Sequence, residues 1–416
     1  MKIAIIGGGS SGMISAHLLC RKHDVTLYEK APIFGGNIRT LNGNVATSNV
    51  PKDITVEAGV TAFHYPSSPT MRSLLQNLQV PYYLSAPKLA SSIQLLKRQR
   101  YTVPSFFTLN QYGFMNYLKA SKINVQLFPD VLKMLWRMSL SSHEKTKTLT
   151  MGSFINHTSA LSQRWMRCSI MLGLSMPFID TKQFPCSWLK TIFFKYRLPI
   201  WASPKNGMYD YIDKIITLNQ NHFKYHCNVA IQTIMRSNSS ATIVFNDGTM
   251  KVFDKIIFAT TPEQVLKLLE SPTEHEKKRF HHWRERSFSI LSHTDNSLYD
   301  SFVKPSPSPF DYFEKNNSDF GYNTYLNDIH KIKGETSYNF SYNLDERINP
   351  NLILMRMNHT VPIYNNKSIK YNEEILQTNG DNNTFHVGAY LGHGLHESAA
   401  KTAYMVALKL GGLVLV

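Results

Sequence analysis

Short apolar runs, and the polar or glycine-rich residues that bound them, lay out this chain. Lys2-Ile3-Ala4-Ile5-Ile6 is a continuous rather than alternating apolar run, which predicts a strand buried in a sheet. It feeds Gly7-Gly8-Gly9-Ser10-Ser11-Gly12 and then an apolar helix pattern, so strand, glycine turn and helix start follow directly. Asp24-Val25-Thr26-Leu27-Tyr28 predicts a second buried strand. His226 to Ile231 leads into a meander with a hairpin signal at Asp247-Gly248, and the meander ends in the run from Asp254 to Pro262. Phe385 to Glu397 reads as a strand and a glycine turn, followed by an alanine-rich helix to about Leu410. Between these stretches, Val125 to Leu140 and Ser159 to Met176 have helical patterning. Phe288 to His293, Ser337 to Tyr342 and Asn351 to Met357 predict strands, and Lys304-Pro305-Ser306-Pro307-Ser308-Pro309 predicts loop.

The spacing Gly7, Gly9, Gly12 fits the dinucleotide-binding fingerprint. Its glycines allow a tight turn, close backbone approach to a pyrophosphate, and close packing of helix on strand. The helix N-terminus then faces the anion. Glu29 stands at the end of the second strand, about 20 residues on, where a carboxylate binds the adenosine ribose hydroxyls. A carboxylate there favours an unphosphorylated ribose, hence FAD or NAD rather than NADP.

A second glycine pair follows at once in Lys30-Ala31-Pro32-Ile33-Phe34-Gly35-Gly36-Asn37-Ile38-Arg39-Thr40. On these residues the chain resembles the FAD-dependent amine oxidase and phytoene desaturase superfamily, whose members carry a Gly-Gly pair that approaches the cofactor. Within it, the chain is most similar to predicted FAD-binding oxidoreductases linked to modified fatty-acid metabolism. It departs from many amine oxidases in having Asn37 directly after the glycine pair, where they have Arg, with Arg39 two residues on. An amine substrate is therefore not implied. The resemblance extends to Val56 through Phe63, which in such enzymes passes along the flavin ring, with Gly59 allowing close approach. It places the backbone of Val229 at adenine, and the segment containing Gly388 and Leu395 closes the flavin site. There a helix N-terminus would face the pyrimidine side of the ring and stabilise its reduced anion. The implied cofactor-binding positions are Gly7, Gly9, Ser11, Gly12, Glu29, Lys30, Gly36, Asn37, Gly59, Val229, Gly388 and Leu395.

The expected fold is α/β, with a doubly wound, Rossmann-like FAD-binding domain and an inserted α+β substrate domain. Residues 1–85, 205–270 and 380–416 should build the first; residues 86–204 and 271–379 should build the second. With 416 residues the chain exceeds what one core usually supports. Only one nucleotide fingerprint is visible, which argues against a two-nucleotide reductase.

Charge and cysteines refine this picture. The net charge of +16 has clusters at Lys97-Arg98-Gln99-Arg100 and from Glu276 to Arg286. The second reads first as a solvated helix face, and functionally as attraction to an anionic membrane. Phe280 and Trp283 lie among basic residues, yet no DNA or RNA module accompanies them, so no nucleic-acid partner is expected. Cys20, Cys168, Cys186 and Cys227 are far apart and imply free thiols. None lies in the C-terminal segment where some amine oxidases attach flavin, so FAD is expected to bind non-covalently. The apolar N-terminus resembles a signal peptide only superficially, because the glycine fingerprint occupies it. A cytoplasmic protein, peripheral to a membrane at most, is expected. His393, His396 and Glu397 form HGLHE, which matches neither zinc-helix motif, so no metal is expected. His64 and His393, near the flavin by the resemblance, are candidates for a base or an orienting group, but no catalytic residue is assigned. The resulting function is a FAD-dependent oxidoreductase transferring hydride from a lipid or fatty-acyl substrate to flavin N5. An amine oxidase and a non-catalytic, membrane-associated flavin-binding module are the alternatives.

Overall fold

The computed structural model describes residues 1–85, 91–94, 100–103, 122–195, 200–300, 310–316 and 319–415. The continuous apolar runs become a five-stranded sheet in the order Phe223–His226, Asp24–Tyr28, Lys2–Ile6, Lys255–Phe258, Thr384–His386. Every neighbouring pair in it is parallel. A parallel sheet is covered on both faces, so its strands need apolar residues at successive positions. Ile3 and Ile5 accordingly enter one core with the helix Ser10–Leu19 and the helix His396–Lys409. Ala4 and Ile6 enter a second core, with Ile256, Phe258 and residues of the meander.

The meander is the antiparallel sheet Ile231–Arg236, Ala241–Phe245, Met250–Phe253. Its predicted turn forms: Gly248 has φ +82°, and the Asp247 carboxylate accepts the Thr249 N–H at 2.9 Å. A seven-stranded sheet runs in the order Ile353–Pro362, Glu285–His293, Asn339–Tyr342, Asp319–Tyr325, Phe310–Asn316, Ser91–Gln94, Arg100–Val103. It is antiparallel except where Phe310–Asn316 meets Ser91–Gln94. Helices Lys122–Leu140 and Ala160–Leu174 occur where helical patterning predicts them. The strand Trp201–Pro204 pairs with Phe63–His64 and Tyr82–Ser85 rather than with the seven-stranded sheet. The loop expected at 304–309 and residues 97–99 of the first basic cluster lie outside the described residues.

The second basic cluster is a solvated helix face at Lys277 and Lys278, which are exposed, but not at its apolar positions. Its helix ends at Phe280, and both Phe280 and Trp283 are buried in the second core. Glu276 forms a bidentate pair with Arg236, Arg279 pairs with Glu374 at 3.0 Å, and Arg286 pairs with Asp180 at 3.3 Å. The apolar positions are thus core, and most of the charges are internally matched. All four cysteines are free, three of them buried. Among the described residues, no helix is long and apolar enough to cross a membrane.

Candidate cofactor site

The parallel strands end together, and the fingerprint residues follow their carboxyl ends. Gly7 follows Ile6, Glu29 follows Tyr28, Val229 lies three residues past His226, and Gly388 lies two past His386. This is the edge at which open parallel sheets bind ligands. A recess of about 510 Å³ lined by Met1, Arg21, His23 and Asp254 lies at the opposite, amino-terminal edge, so strand polarity excludes it as the nucleotide site.

The fingerprint glycines have distinct duties. A Cβ on Gly12 would sit 1.9 Å from the Gly7 carbonyl oxygen, so this glycine permits the contact of helix with turn. A Cβ on Gly9 would meet only the Gly36 Cα, at 3.8 Å, so the protein itself leaves that side open. Gly9 is also the N-cap of the helix Ser10–Leu19, has no side-chain cap, and precedes a first turn without acidic residues. An N-terminus whose first N–H donors have no intrahelical partner, with its positive dipole and an open flank, is a fitting cradle for a pyrophosphate. Nearby, Thr260 Oγ1 is buried without a partner, a further polar atom available to a ligand.

The second glycine pair closes on this turn. Gly35 N–H donates to the Gly8 carbonyl at 2.9 Å, and Gly36 adopts φ +58° beside Gly9. Glu29 is buried, its Oε2 accepting the Gly8 N–H at 2.6 Å and its Oε1 the Ala31 N–H at 2.8 Å. Each carboxylate oxygen retains capacity for a ribose hydroxyl. Val229 N–H donates to the Glu29 carbonyl at 3.0 Å, so the segment expected at adenine is tied directly to the expected ribose carboxylate. Lys30, the next residue, is exposed.

Two helix N-termini converge here. Ser10 Oγ lies 2.8 Å from Tyr211 Oη and 3.4 Å from His396 Nε2, and Tyr211 Oη lies 3.0 Å from the same nitrogen. Leu395 is the N-cap of the second helix and also lacks a side-chain cap. Burial pushes His396 down to about 4, so this imidazole is neutral near pH 7. Glu397, with it in HGLHE, faces elsewhere: its carboxylate accepts the N–H groups of Thr70 and Met71 and so caps the helix Pro69–Asn77. Among the described residues no group of His, Cys, Asp and Glu is arranged to hold a metal.

Other expected positions are occupied by protein contacts. A Cβ on Gly59 would lie 2.1 Å from the Asn37 carbonyl oxygen, so packing of two backbone segments accounts for this glycine. The Asn37 side chain donates to the Thr360 carbonyl at 3.1 Å, tying the glycine-pair segment to the edge strand of the large sheet. Gly388 N–H donates to Thr402 Oγ1 at 3.0 Å. Ser11 contributes its carbonyl to Ser15 Oγ at 2.8 Å. His64 Nδ1 is 2.8 Å from Ser67 Oγ. His393 packs edge-on against Trp188 and is pushed down to about 4 by burial, with Lys195 and Lys401 adding to the shift.

Three buried polar residues in and around these segments carried no usable local signal. Tyr211 lies in an ordinary amphipathic helix, and its role exists only because Ser10 and His396 meet it. Glu57 sits within the flavin-segment motif, yet its part as the acceptor of the Met208 N–H and Thr40 hydroxyl is set by remote chain. His359 is buried and stacked on Phe288, Nδ1 lacks a partner, and burial followed by the Arg39 charge holds it near 4.

Comparison with known proteins agrees with this geometry. Residues 5–78 match the NAD(P)-binding Rossmann-like domain family. Cyclohexylamine oxidase from Brevibacterium oxydans aligns over 99% of both chains at 12% identity, with a TM-score of 0.67. A fatty acid isomerase from P. acnes that produces CLA aligns over 98% of both at 15% identity and a TM-score of 0.65. Putrescine oxidase, solved bound to putrescine, aligns over 99% of both at 11% identity and a TM-score of 0.61. Comparison with curated protein sequences gives no match. The chain is a mixed α/β protein with a nucleotide-binding Rossmann-like sheet. More particularly, over nearly its whole length it shares the fold of cyclohexylamine oxidase, putrescine oxidase and the fatty acid isomerase.

Proposed function

We propose that this protein is a FAD-dependent oxidoreductase that holds its cofactor non-covalently and oxidises an apolar, lipid or fatty-acyl substrate. The observation that carries the reading is a glycine turn whose Gly8 N–H is held by Glu29, whose Gly9 flank is open, and whose following helix starts where Ser10 meets His396 at the start of a second helix. Bound there, FAD would supply a two-electron acceptor for hydride leaving a substrate carbon. First-turn N–H groups of Ser10–Leu19 would hold its pyrophosphate and Glu29 its ribose. The N-terminus of His396–Lys409 would favour negative charge beside it, while His396 stays neutral. His359 would offer Nδ1 to orient a polar group of the substrate.

Asn37, in place of the expected arginine, and the likeness to a fatty acid isomerase support the lipid side. A second reading, amine oxidation, is favoured by the likeness to cyclohexylamine and putrescine oxidases. Anaerobic mixing of the flavin-loaded protein with phospholipids, free fatty acids and amines separates them. Bleaching by an acyl substrate is expected; bleaching by amines alone transfers the assignment to the second reading. Bound flavin that dithionite reduces but no substrate does would leave a non-catalytic flavin-binding module.

A further inference from the structure

The helix Lys122–Leu140 is apolar on two sides. Leu127, Met134 and Met138 are buried, with Val131 packed beside them, and they form its inward face. Phe128, Leu132, Trp136 and Leu140, spaced four residues apart, are 59%, 49%, 65% and 67% exposed. The three steps between them form one stripe about 18 Å long at 1.5 Å per residue. Large apolar side chains scattered singly on a surface are ordinary, whereas an aligned stripe led by Trp and Phe marks a contact surface.

Charge selects the kind of surface. Lys133 and Arg137 border the stripe, and neither is within salt-bridge distance of a carboxylate among the described residues. Residues 122–195 contain ten Lys and Arg against three acidic residues, Asp130, Glu144 and Asp180. The cluster from Glu276 to Arg286 is by contrast largely matched internally, whereas this helical insertion has a net charge of +7, the ten cations less the three acids. A helix with Trp, Phe and Leu on one face and flanking cations lies in the plane of an anionic bilayer, its apolar face among the acyl chains. Its length and hydropathy do not allow it to span one.

We propose that the stripe Phe128, Leu132, Trp136 and Leu140, bordered by Lys133 and Arg137, docks this protein on anionic phospholipid membranes. This goes beyond the proposed oxidoreductase reading and does not depend on it, because vesicle binding requires no turnover. Flotation of the full-length protein with phosphatidylcholine vesicles, with and without phosphatidylglycerol, tests it. Binding is expected only with phosphatidylglycerol, weakening as salt rises. Leu132→Ser with Trp136→Ser should weaken it at least about tenfold, as removing buried apolar side chains does. Lys133→Gln should weaken it about fivefold, the share of one charge near the surface. Quenching by brominated acyl chains should fall in Trp136→Phe. All these side chains are exposed, so melting temperature and flavin content should be unchanged and will show that the variants fold. Unaltered flotation of the Leu132/Trp136 variant would overturn the proposal. So would absence of vesicle binding together with a concentration-dependent dimer that the same variant abolishes, which would make the stripe a self-association face.

Discussion

Alanine at Gly9 separates the two reasons for glycine in the nucleotide turn. Gly9 has φ −74° and ψ −177°, a conformation alanine adopts freely. The added Cβ would find no protein atom closer than 3.8 Å. With no strain and fewer unfolded conformations, Gly9→Ala should leave the fold intact, or stabilise it by about 0.4–1 kcal/mol. The same methyl would occupy the open flank at which the pyrophosphate is placed. Displacing the anion from two charge-assisted N–H bonds forfeits about 3 kcal/mol, roughly a hundredfold in Kd. Gly12→Ala is the contrasting control. Its Cβ would fall 1.9 Å from a backbone oxygen, so the helix must move off the strand and the protein should unfold or melt far lower. The assay is FAD titration of apoprotein beside thermal melting. A folded Gly9→Ala protein that binds FAD with unchanged affinity would refute the placement of the pyrophosphate.

Three more perturbations follow from buried polar groups. Burial pushes Glu57 up to about 8 despite two hydrogen bonds, so the folded state binds an extra proton between about 4.5 and 8 and stability falls as pH rises through that window. Glu57→Gln should flatten that part of the melting profile, and an unchanged slope would show that Glu57 titrates normally. His293, His330, His359, His393 and His396 are each pushed down to about 4 and His386 to about 3, all chiefly by burial. Their unfolded forms take up protons near 6.5, so stability should drop steeply from pH 6.5 toward 4, and a level melting temperature over that range would contradict their burial. Arg236→Ala would leave the Glu276 carboxylate buried without its bidentate partner and should destabilise by about 3–5 kcal/mol in urea unfolding. Replacing both partners with apolar residues should recover most of that loss, and no recovery would mean that the pair is not the source.

Sequence alone determined the features whose physics is local. Continuous apolar runs mark strands covered on both faces, and glycine spacing marks a turn that must pack against a helix. Lys2–Ile6, Ser10–Leu19, Asp24–Tyr28 and the Asp247-Gly248 turn all take the expected form, because hydrophobic period and turn chemistry act within a few residues. Only tertiary structure decided which segments meet. Ser10 and His396 are 386 positions apart, and nothing within either helix specifies that Tyr211 will join them. Trp283 and Phe280 sit among basic residues, yet their side chains lie in the core while His281, His282 and Arg284 beside them are exposed. Gly59 illustrates the same divide: only the folded chain shows that its Cα packs against the carbonyl of Asn37. Contacts between distant segments are chosen by the burial and hydrogen bonding of the whole chain, and a local pattern contains neither partner's position.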